Sequence, residues 1–514
     1  MGAALAATAL LLTALFVTER SVRRFDPYIR AQAIQYLRHR FDCDASIDKL
    51  DIRLPSVGFW QLIRKRGDGA MAEVTGEGVT LRHREIALTI NMKRFHFAVD
   101  LGRVFDPVKR VSSVRLEQVV IQVPPERKHP SGASVAGKPI EAIGSSQVHF
   151  EHIELVDSRL VILPGDPSRM PLEFALHRVI LDSAGPGKPL QYRANLTIAT
   201  PPGLVEAHGS FGPWRARSPG DTPLDGAYTF RNANLGVFTA IAGSLTSKGV
   251  FYGSLSSITA KGEADVPDFR LRSAGHPMVL HTSFEALVDG TNGNTILRPV
   301  RARIGTSAFT TSGAILKHDG NPQHSIDLDV NMPDGEMLEL LQLTVPAKPF
   351  LSGRLQMRAK IHIPSSAGSV NEKLILDGRF HVAHGQFLDA GIQSKIDSFS
   401  RTGQGQPKNP AIGNVFSDMA GGFHLENENI EFSSLSFGVP GSRVDLAGRY
   451  NILGDRVDFR GALRLDAKVS EMTTGWKHWL LKVADPFFAK HGAGTFLKIR
   501  VQGSSKDPHF GMDW

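Results

Sequence analysis

Residues 355–363, LQMRAKIHI, decide the fold. Leu355, Met357, Ala359, Ile361 and Ile363 alternate with Gln356, Arg358, Lys360 and His362. A period of two places the first set on one face of a β-strand and the second on the other. Upstream, Ile326, Leu328, Val330 and Met332 alternate with Asp327, Asp329 and Asn331. Downstream, Val457, Phe459, Leu463 and Leu465 alternate with Asp458, Arg460, Ala462 and Arg464. The pattern starts near Leu88, Ile90 and Met92 and recurs at Leu497, Ile499 and Val501. It predicts antiparallel strands with one apolar and one wet face.

The chain of 514 residues exceeds one ordinary core. Its 50 Gly and 30 Pro suit many strands joined by turns. A single sheet tends to curl or split beyond ~10 strands. The predicted fold is therefore mainly β: an elongated, curled antiparallel sheet, an open groove or β-taco, with few short helices. For the apolar stripe, a dry filled core and a ligand groove both satisfy the alternation. Helices are predicted over 235–245 (LGVFTAIAGSL), 335–343 (GEMLELLQL) and 471–490. The first two are each followed by a Gly-bounded strand, a weak internal repeat.

Net charge is +8, but the basic residues are spread out, with no dense block beside an aromatic platform. Nucleic acid is not an expected partner. Cys43 is the one cysteine, which excludes an intrachain disulfide and a cysteine-rich zinc site. Between Asp42 and Asp44 its thiolate is disfavoured, and it reads as structural. The chain has no G-x-S-x-G elbow, P-loop or H-E-x-x-H motif. His381 and His384, like His149 and His152, are three apart, so joint metal binding in a strand needs a bulge. Asp327 and Asp329 share a face but read as the wet side of their strand. The expectation is a protein that is not an enzyme, with no catalytic residue, metal or cofactor.

Residues 2–17, GAALAATALLLTALFV, are uncharged, a length between a signal core and a spanning helix. No small-residue cleavage site follows; Glu19, Arg20, Arg23 and Arg24 come at once. We read an uncleaved transmembrane helix, with Leu11, Leu12, Leu15 and Phe16 as membrane contacts and a cleaved signal as the alternative. By charge alone the arginines, and the body after them, belong in the cytoplasm. Asp26-Pro27 then opens a helix, with Ile29, Ala33, Ile34, Leu37 and Phe41 at helical spacing. Its preferred role is to cap the first strand; an interfacial helix is the alternative. Trp476 and Trp479 sit at helical spacing in 471–490, on a bilayer surface or plugging the open end of the β structure.

The stretch Phe416-Ser417-Asp418-Met419-Ala420-Gly421-Gly422-Phe423 is followed by Ile430-Glu431-Phe432 and Leu435-Ser436-Phe437-Gly438-Val439-Pro440. Then come Val444-Asp445-Leu446-Ala447-Gly448-Arg449-Tyr450, Asp458-Phe459-Arg460-Gly461 and Val501-Gln502-Gly503-Ser504. With Leu376-Asp377-Gly378-Arg379-Phe380 upstream, these phrases resemble the C-terminal domain of the AsmA-like family, related to the TamB- and YhdP-type repeating β-groove envelope proteins. The resemblance covers about 374–513 closely and the rest loosely. It implies a single-pass anchor in a bacterial inner membrane, with the bulk of the chain in the periplasm and an apolar β-groove holding acyl chains. On that implication the groove-lining, lipid-binding candidates are Ile326, Leu328, Val330, Leu355, Met357, Ile361, Leu446, Val457, Phe459, Leu463 and Leu465. The implied partners are phospholipid or another acyl lipid, the inner membrane and envelope proteins. The implied function is non-enzymatic lipid transport between membranes; the alternative is an assembly or scaffold factor for outer-membrane biogenesis. The expected organisation is an anchor over 1–19, a helix and first β segment over 20–123, and a loop or linker over 124–147. A middle β-groove body over 148–373 and an AsmA-like C-terminal domain over 374–514 complete it.

Overall fold

The computed structural model describes the chain from residue 30 to residue 512, apart from residues 32, 36, 39–42, 54–70, 84–87, 101–108, 124–147, 164–170, 185–187, 214, 216–217, 239, 274–275, 319–323, 367, 468–494 and 505–507. The described residues are mainly strand. They divide into two compact units. Unit 1 comprises Met1–Asn234, Thr246–Gly262 and Val288–Thr291; unit 2 comprises Leu235–Leu245, Glu263–Leu287 and Asn292–Trp514. No helix among the described residues is long and apolar enough to cross a membrane. The expected anchor, with Leu11, Leu12, Leu15 and Phe16, lies outside the described residues, as does the 471–490 segment with Trp476 and Trp479.

In unit 1, β1 (Cys43–Arg53), β2 (Met71–His83), β3 (Thr89–Asp100), β4 (Lys109–Val111) and β5 (Val114–Val123) precede β6 (Val148–Ile162). Then come β7 (Leu172–Ala184), β8 (Leu190–Ala199), β9 (Pro202–Phe211) and β10 (Pro223–Asn234). Neighbouring strands pair antiparallel, with one departure from the expected pattern: β4 and β5 pair with β6 in parallel. Parallel neighbours need a crossover of about a dozen residues or more. The turn-rich stretch 124–147, which connects them, is long enough for one; it lies outside the described residues. Helical residues 30–31, 33–35 and 37–38 lie on β1. Arg30 donates to the Asp48 carbonyl at 2.5 Å, Arg38 to that of Ala45 at 3.4 Å, and the buried Cys43 thiol to that of Leu37 at 3.6 Å. This is the strand-capping contact expected of that helix.

In unit 2, the predicted helix over 235–245 is replaced by a 3₁₀ turn at Leu235–Val237 and then by strand. Ile241 and Ala242 pair with Leu271 and Arg270, and the Leu235 N–H donates to the Gly243 carbonyl at 2.9 Å. Gly243 has φ +140, where a Cβ would meet the Val266 side chain at 2.6 Å. Strand pairing and a glycine-only backbone override a helical apolar pattern here. After β11 (Ile241–Ala242), β12 (Ser244–Ser254) and β13 (Ser257–Leu271), of which Thr246–Gly262 is assigned to unit 1, and β14 (Met278–Val288), eleven strands form one antiparallel ladder. They are β15 (Thr295–Ile304), β16 (Ser307–Lys317), β17 (His324–Glu336), β18 (Leu351–Ile363), β19 (Ile375–Phe387), β20 (Ser417–Glu426), β21 (Asn429–Val439), β22 (Ser442–Asn451), β23 (Arg456–Leu465), β24 (Thr495–Ser504) and β25 (Pro508–Met512). The ladder is open: β25 pairs with β24 alone among the described strands.

Among the described residues, three helices interrupt it: α1 (Met337–Thr344), at the predicted place, α2 (Val370–Lys373) and α3 (Ala390–Gly403). The α3 start is set by Asp389, whose carboxylate accepts from the Ile392 N–H at 2.9 Å. Both α1 and α3 follow strands running in the same direction, β17 and β19, so both lie at one end of the ladder. Met337 and Leu340 of α1 pack on buried Met332, Leu355 and Val382; Phe399 of α3 packs on Leu463, Leu465 and Leu497.

Strands approach closely where glycine allows it. A Cβ on Gly461 would meet the Asp445 carbonyl oxygen at 1.9 Å. Gly461→Val is expected to destabilise the fold by ~1–3 kcal/mol in urea denaturation, through overpacking. Gly511→Ala, with nothing within 4 Å of the added carbon, is expected to leave the midpoint unchanged.

Candidate functional site

The register of the ladder assembles the apolar residues of separate strands into rows. Leu297 pairs with Gly313, and the row runs on through Leu328, Ile361, Leu376, Leu425, Ile430, Tyr450 and Val457. The next row carries Val330, Ala359, Gly378, Phe423, Phe432, Gly448, Phe459 and Val501. A third carries Met332, Met357, Phe380, Gly421, Leu435, Leu446, Gly461 and Ile499. A fourth, beside the helices, carries Leu355, Val382, Met419, Phe437, Val444, Leu463 and Leu497. All eleven sequence-predicted residues, Ile326, Leu328, Val330, Leu355, Met357, Ile361, Leu446, Val457, Phe459, Leu463 and Leu465, fall on this one face.

Burial is graded along the face. Toward the helices, Leu355, Val382, Leu465 and Leu497 are 1%, 0%, 2% and 4% exposed. At the far end Leu328, Ile361, Leu376, Leu425, Ile430 and Val457 are only half-buried. The face is dry where α1 and α3 cover it and accessible where they do not.

Of the aromatic residues of this face, the sequence singles out Phe459 but not Phe380, Phe423, Phe432 or Phe437, because 376–380, 416–423 and 430–440 carry the family resemblance. Their alternation, Met419, Gly421, Phe423 and Leu425, is the signal that finds them. Several rings lie over a cross-strand glycine. A Cβ on Gly378 would meet the Phe423 ring at 2.5 Å, and one on Gly421 the Phe380 ring at 3.0 Å. Phe432 and Phe459 flank Gly448, their ring centroids 5.7 Å apart. Ring over glycine covers backbone that would otherwise be exposed on an apolar face. Unit 1 repeats the device, with Phe95 over Gly76.

The opposite face carries alternating charge. Asp329, Lys360, Asp377, His424, Glu431, Arg449 and Asp458 are successive cross-strand neighbours. His424 lies 2.6 Å from Asp377, and Lys360 lies 4.0 Å from Asp329. The hydrogen bond to Asp377 holds the His424 imidazolium above its ordinary pKa. Asp327 lies 2.5 Å from the His362 ring, and Asp327 and Asp329 are both exposed on the wet side of β17, as expected. The bulge that joint action of His381 and His384 needs is present: the β19 register shifts between Val382 and Gly385. Both histidines are exposed while Val382 and Gly385 are buried. No group of three or more His, Cys, Asp or Glu that could hold a metal lies among the described residues.

Each covering helix is fastened by a carboxylate the sequence did not single out. Glu339 of α1 accepts from the N–H and hydroxyl of Thr306, at 2.8 and 2.9 Å, and from those of Ser307, at 2.9 and 2.5 Å. Asp397 of α3 accepts from the N–H groups of Asn414 and Val415 and from the Gln393 amide, all at 3.0 Å. In both, burial pushes the carboxyl up, but the hydrogen bonds outweigh it and hold the pKa below its ordinary value.

No family model matches the chain, and no curated protein or solved structure matches it either.

A depressed folded-state pKa contributes stability above the unfolded value, ~4.3 for Glu and ~3.9 for Asp, and loses it as pH falls through the folded value. The α1 amides are therefore expected to lose hydrogen-exchange protection on acidification below about pH 4. Glu339→Ala is expected to cost ~1–3 kcal/mol at neutral pH and to remove the α1 share of that acid response.

Proposed function

We propose that this protein is a non-enzymatic, membrane-anchored envelope protein of the AsmA-like kind. It binds phospholipid acyl chains along the apolar face of the unit 2 ladder and assists their passage between membranes. The reading places it in a bacterial inner membrane with its body in the periplasm. The observation that carries it is the half-buried row from Leu297 to Val457, which continues across eight strand spacings without a charged side chain. At ~4.8 Å per strand that row is roughly 38 Å long. A bilayer's whole hydrocarbon core, two acyl chains end to end, is ~30 Å. A complete acyl chain lying across the strands finds apolar side chains along its length, while its headgroup stays in water.

Such a function needs no catalytic residue. Each CH₂ kept from water contributes ~0.8 kcal/mol, so a sheltered apolar row lowers the barrier to leaving a bilayer. The aromatic rings beside Gly378, Gly421 and Gly448 present a smooth surface with no backbone polar group for a passing chain to desolvate. The alternative, an assembly factor with a filled interior, draws on the dry packing of Leu355, Val382 and Leu465 under the helices.

Native mass spectrometry of the full chain is expected to find bound phospholipid. Leu328→Glu, at a half-buried position, is expected to reduce that occupancy severalfold, whereas Arg358→Glu, exposed on the wet face of the adjacent strand, leaves it unchanged. A folded Leu328→Glu protein with undiminished lipid defeats the proposal. A parent chain that carries a protein partner and no lipid supports the assembly factor instead.

A further inference from the structure

The wet face of the unit 2 ladder is complementary in one row and unbalanced in the next. The row from Asp329 to Asp458 alternates in sign. The adjacent row, from Asn331 in β17 to Gly511 in β25, has four arginines and no carboxylate. In it Arg358 faces Arg379 across β18 and β19, and Arg460 faces Arg500 across β23 and β24. Like charges directly opposite one another destabilise a sheet. One member of each pair is tied elsewhere: Arg358 donates to the Asn331 amide oxygen at 3.1 Å, and Arg500 to Asp458 at 3.3 Å. A further pair, Arg443 and Arg464, is satisfied by Asp445 and by the Phe496 ring. Arg379 and Arg460 are exposed, and their side chains have no hydrogen bond or ion pair among the described residues.

The two free arginines border the same place. Between them lie β20, β21 and β22, and there β21 carries an extra residue. Phe432 pairs with Phe423 and Ser434 with Gly422, which leaves Ser433 unmatched. On the other side Ser433 and Ser434 together stand against Ala447. This bulge keeps Phe432 and Leu435, three apart, both on the apolar face, and it turns both serines outward, where each is exposed. Ser433 donates to the Gly422 carbonyl at 3.4 Å, whereas the Ser434 hydroxyl has no partner among the described residues. With glycine on one side and alanine on the other, the hydroxyls stand on an open floor. A Cβ on Gly422 would lie 3.0 Å from the Ser433 Oγ and 3.8 Å from the Arg379 Cγ, so the Arg379 stem leans over that floor. The nearby carboxylates are engaged: Asp377 lies on His424, Asp445 on Arg443, and Glu431 stands between His424 and Arg449. Apolar phasing accounts for the extra residue. It does not account for two unpartnered guanidiniums and an unpartnered hydroxyl around it.

What this place lacks is negative charge. Its donors converge from two sides and from beneath. A carboxylate presents both oxygens along one edge and satisfies one guanidinium, whereas a tetrahedral oxyanion points an oxygen at each donor. Arg379 and Arg460 are four strand spacings apart, ~19 Å between their backbones. Arginine side chains extended toward one another over Gly422 and Ala447 leave a space that one such anion closes.

We propose that the Ser433–Ser434 bulge is a binding site for a phosphate group, held between Arg379 and Arg460 with the Ser434 hydroxyl donating from the floor. A small phosphate ester in solution and a phospholipid headgroup share this chemistry. The site lies on the face opposite the apolar rows, so it stands whether or not those rows carry acyl chains.

The full chain is purified in a maltoside detergent, which has no phosphorus. It is titrated with inorganic phosphate, with glycerol phosphate and with dihexanoyl phosphatidylglycerol below its micelle concentration, and binding is read as saturable broadening in phosphorus NMR. Arg379→Gln with Arg460→Gln is expected to weaken phosphate binding about tenfold, and Gly422→Ala, which narrows the floor without changing charge, severalfold. Lys360→Gln, at an exposed wet-face cation outside the bulge, leaves it unchanged. Acetate at equal concentration is expected not to displace the phosphate. Phosphatidylglycerol binding that falls with the same two arginines assigns the phosphate to a headgroup; binding of inorganic phosphate and glycerol phosphate alone assigns it to a free ester. No saturable phosphate binding, equal competition by acetate, or undiminished binding in an arginine variant that keeps its β circular dichroism signal overturns the proposal. Should that variant lose the signal, Gly422→Ala decides in its place. Inorganic phosphate has no acyl chain, so Leu328→Glu leaves its binding intact even where it abolishes lipid capture.

Discussion

The unit 2 ladder depends on one constraint: a sheet that is charged on one face must keep its other face from water. Its strands pair edge to edge through eleven members, and the cross-strand register carries an apolar residue or a glycine to nearly every position of the inner rows. A one-residue slip in any strand would exchange Leu328 for Asp327 or Ile361 for Lys360, inverting both faces at once. The alternating ladder from Asp329 to Asp458 adds to this: each carboxylate has a basic neighbour in the correct register. The charges do more to specify the register than to stabilise it, since exposed pairs contribute ~0–1 kcal/mol each.

The rings and glycines are the second consequence of that constraint. Where Gly378, Gly421 and Gly448 leave the apolar face thin, Phe423, Phe380 and the pair Phe432 and Phe459 cover it. This keeps the face continuous without a second layer of branched side chains. A continuous, partly open apolar face is what acyl-chain binding requires, and it connects the packing of the ladder to the function proposed for it.

The helices turn a uniform sheet into a polar object with two unlike ends. Helices α1 and α3 bury Leu355, Val382 and Leu465, and each is fastened by a carboxylate accepting from backbone N–H groups of a neighbouring turn. Because both follow strands of the same direction, the dry packing collects at one end while the half-buried row lies toward the other.

Alternation in 326–332, 355–363 and 457–465 determined the strands and the face to which Leu328, Ile361 and Phe459 belong, because a side-chain period of two is a local property of the backbone. The helix at 337–344 was legible for the same reason. What lay beyond the sequence depends on partners remote in the chain. The strand at 241–245 wins over a helical pattern because Leu271 and Arg270 are there to pair with it. The parallel step from β5 to β6, the ring over Gly378 and the Glu339 fastening each join residues that no local pattern connects. Which residues line a face was written in single strands; how that face is covered, and at which end, was decided only when register and strand direction brought those strands together.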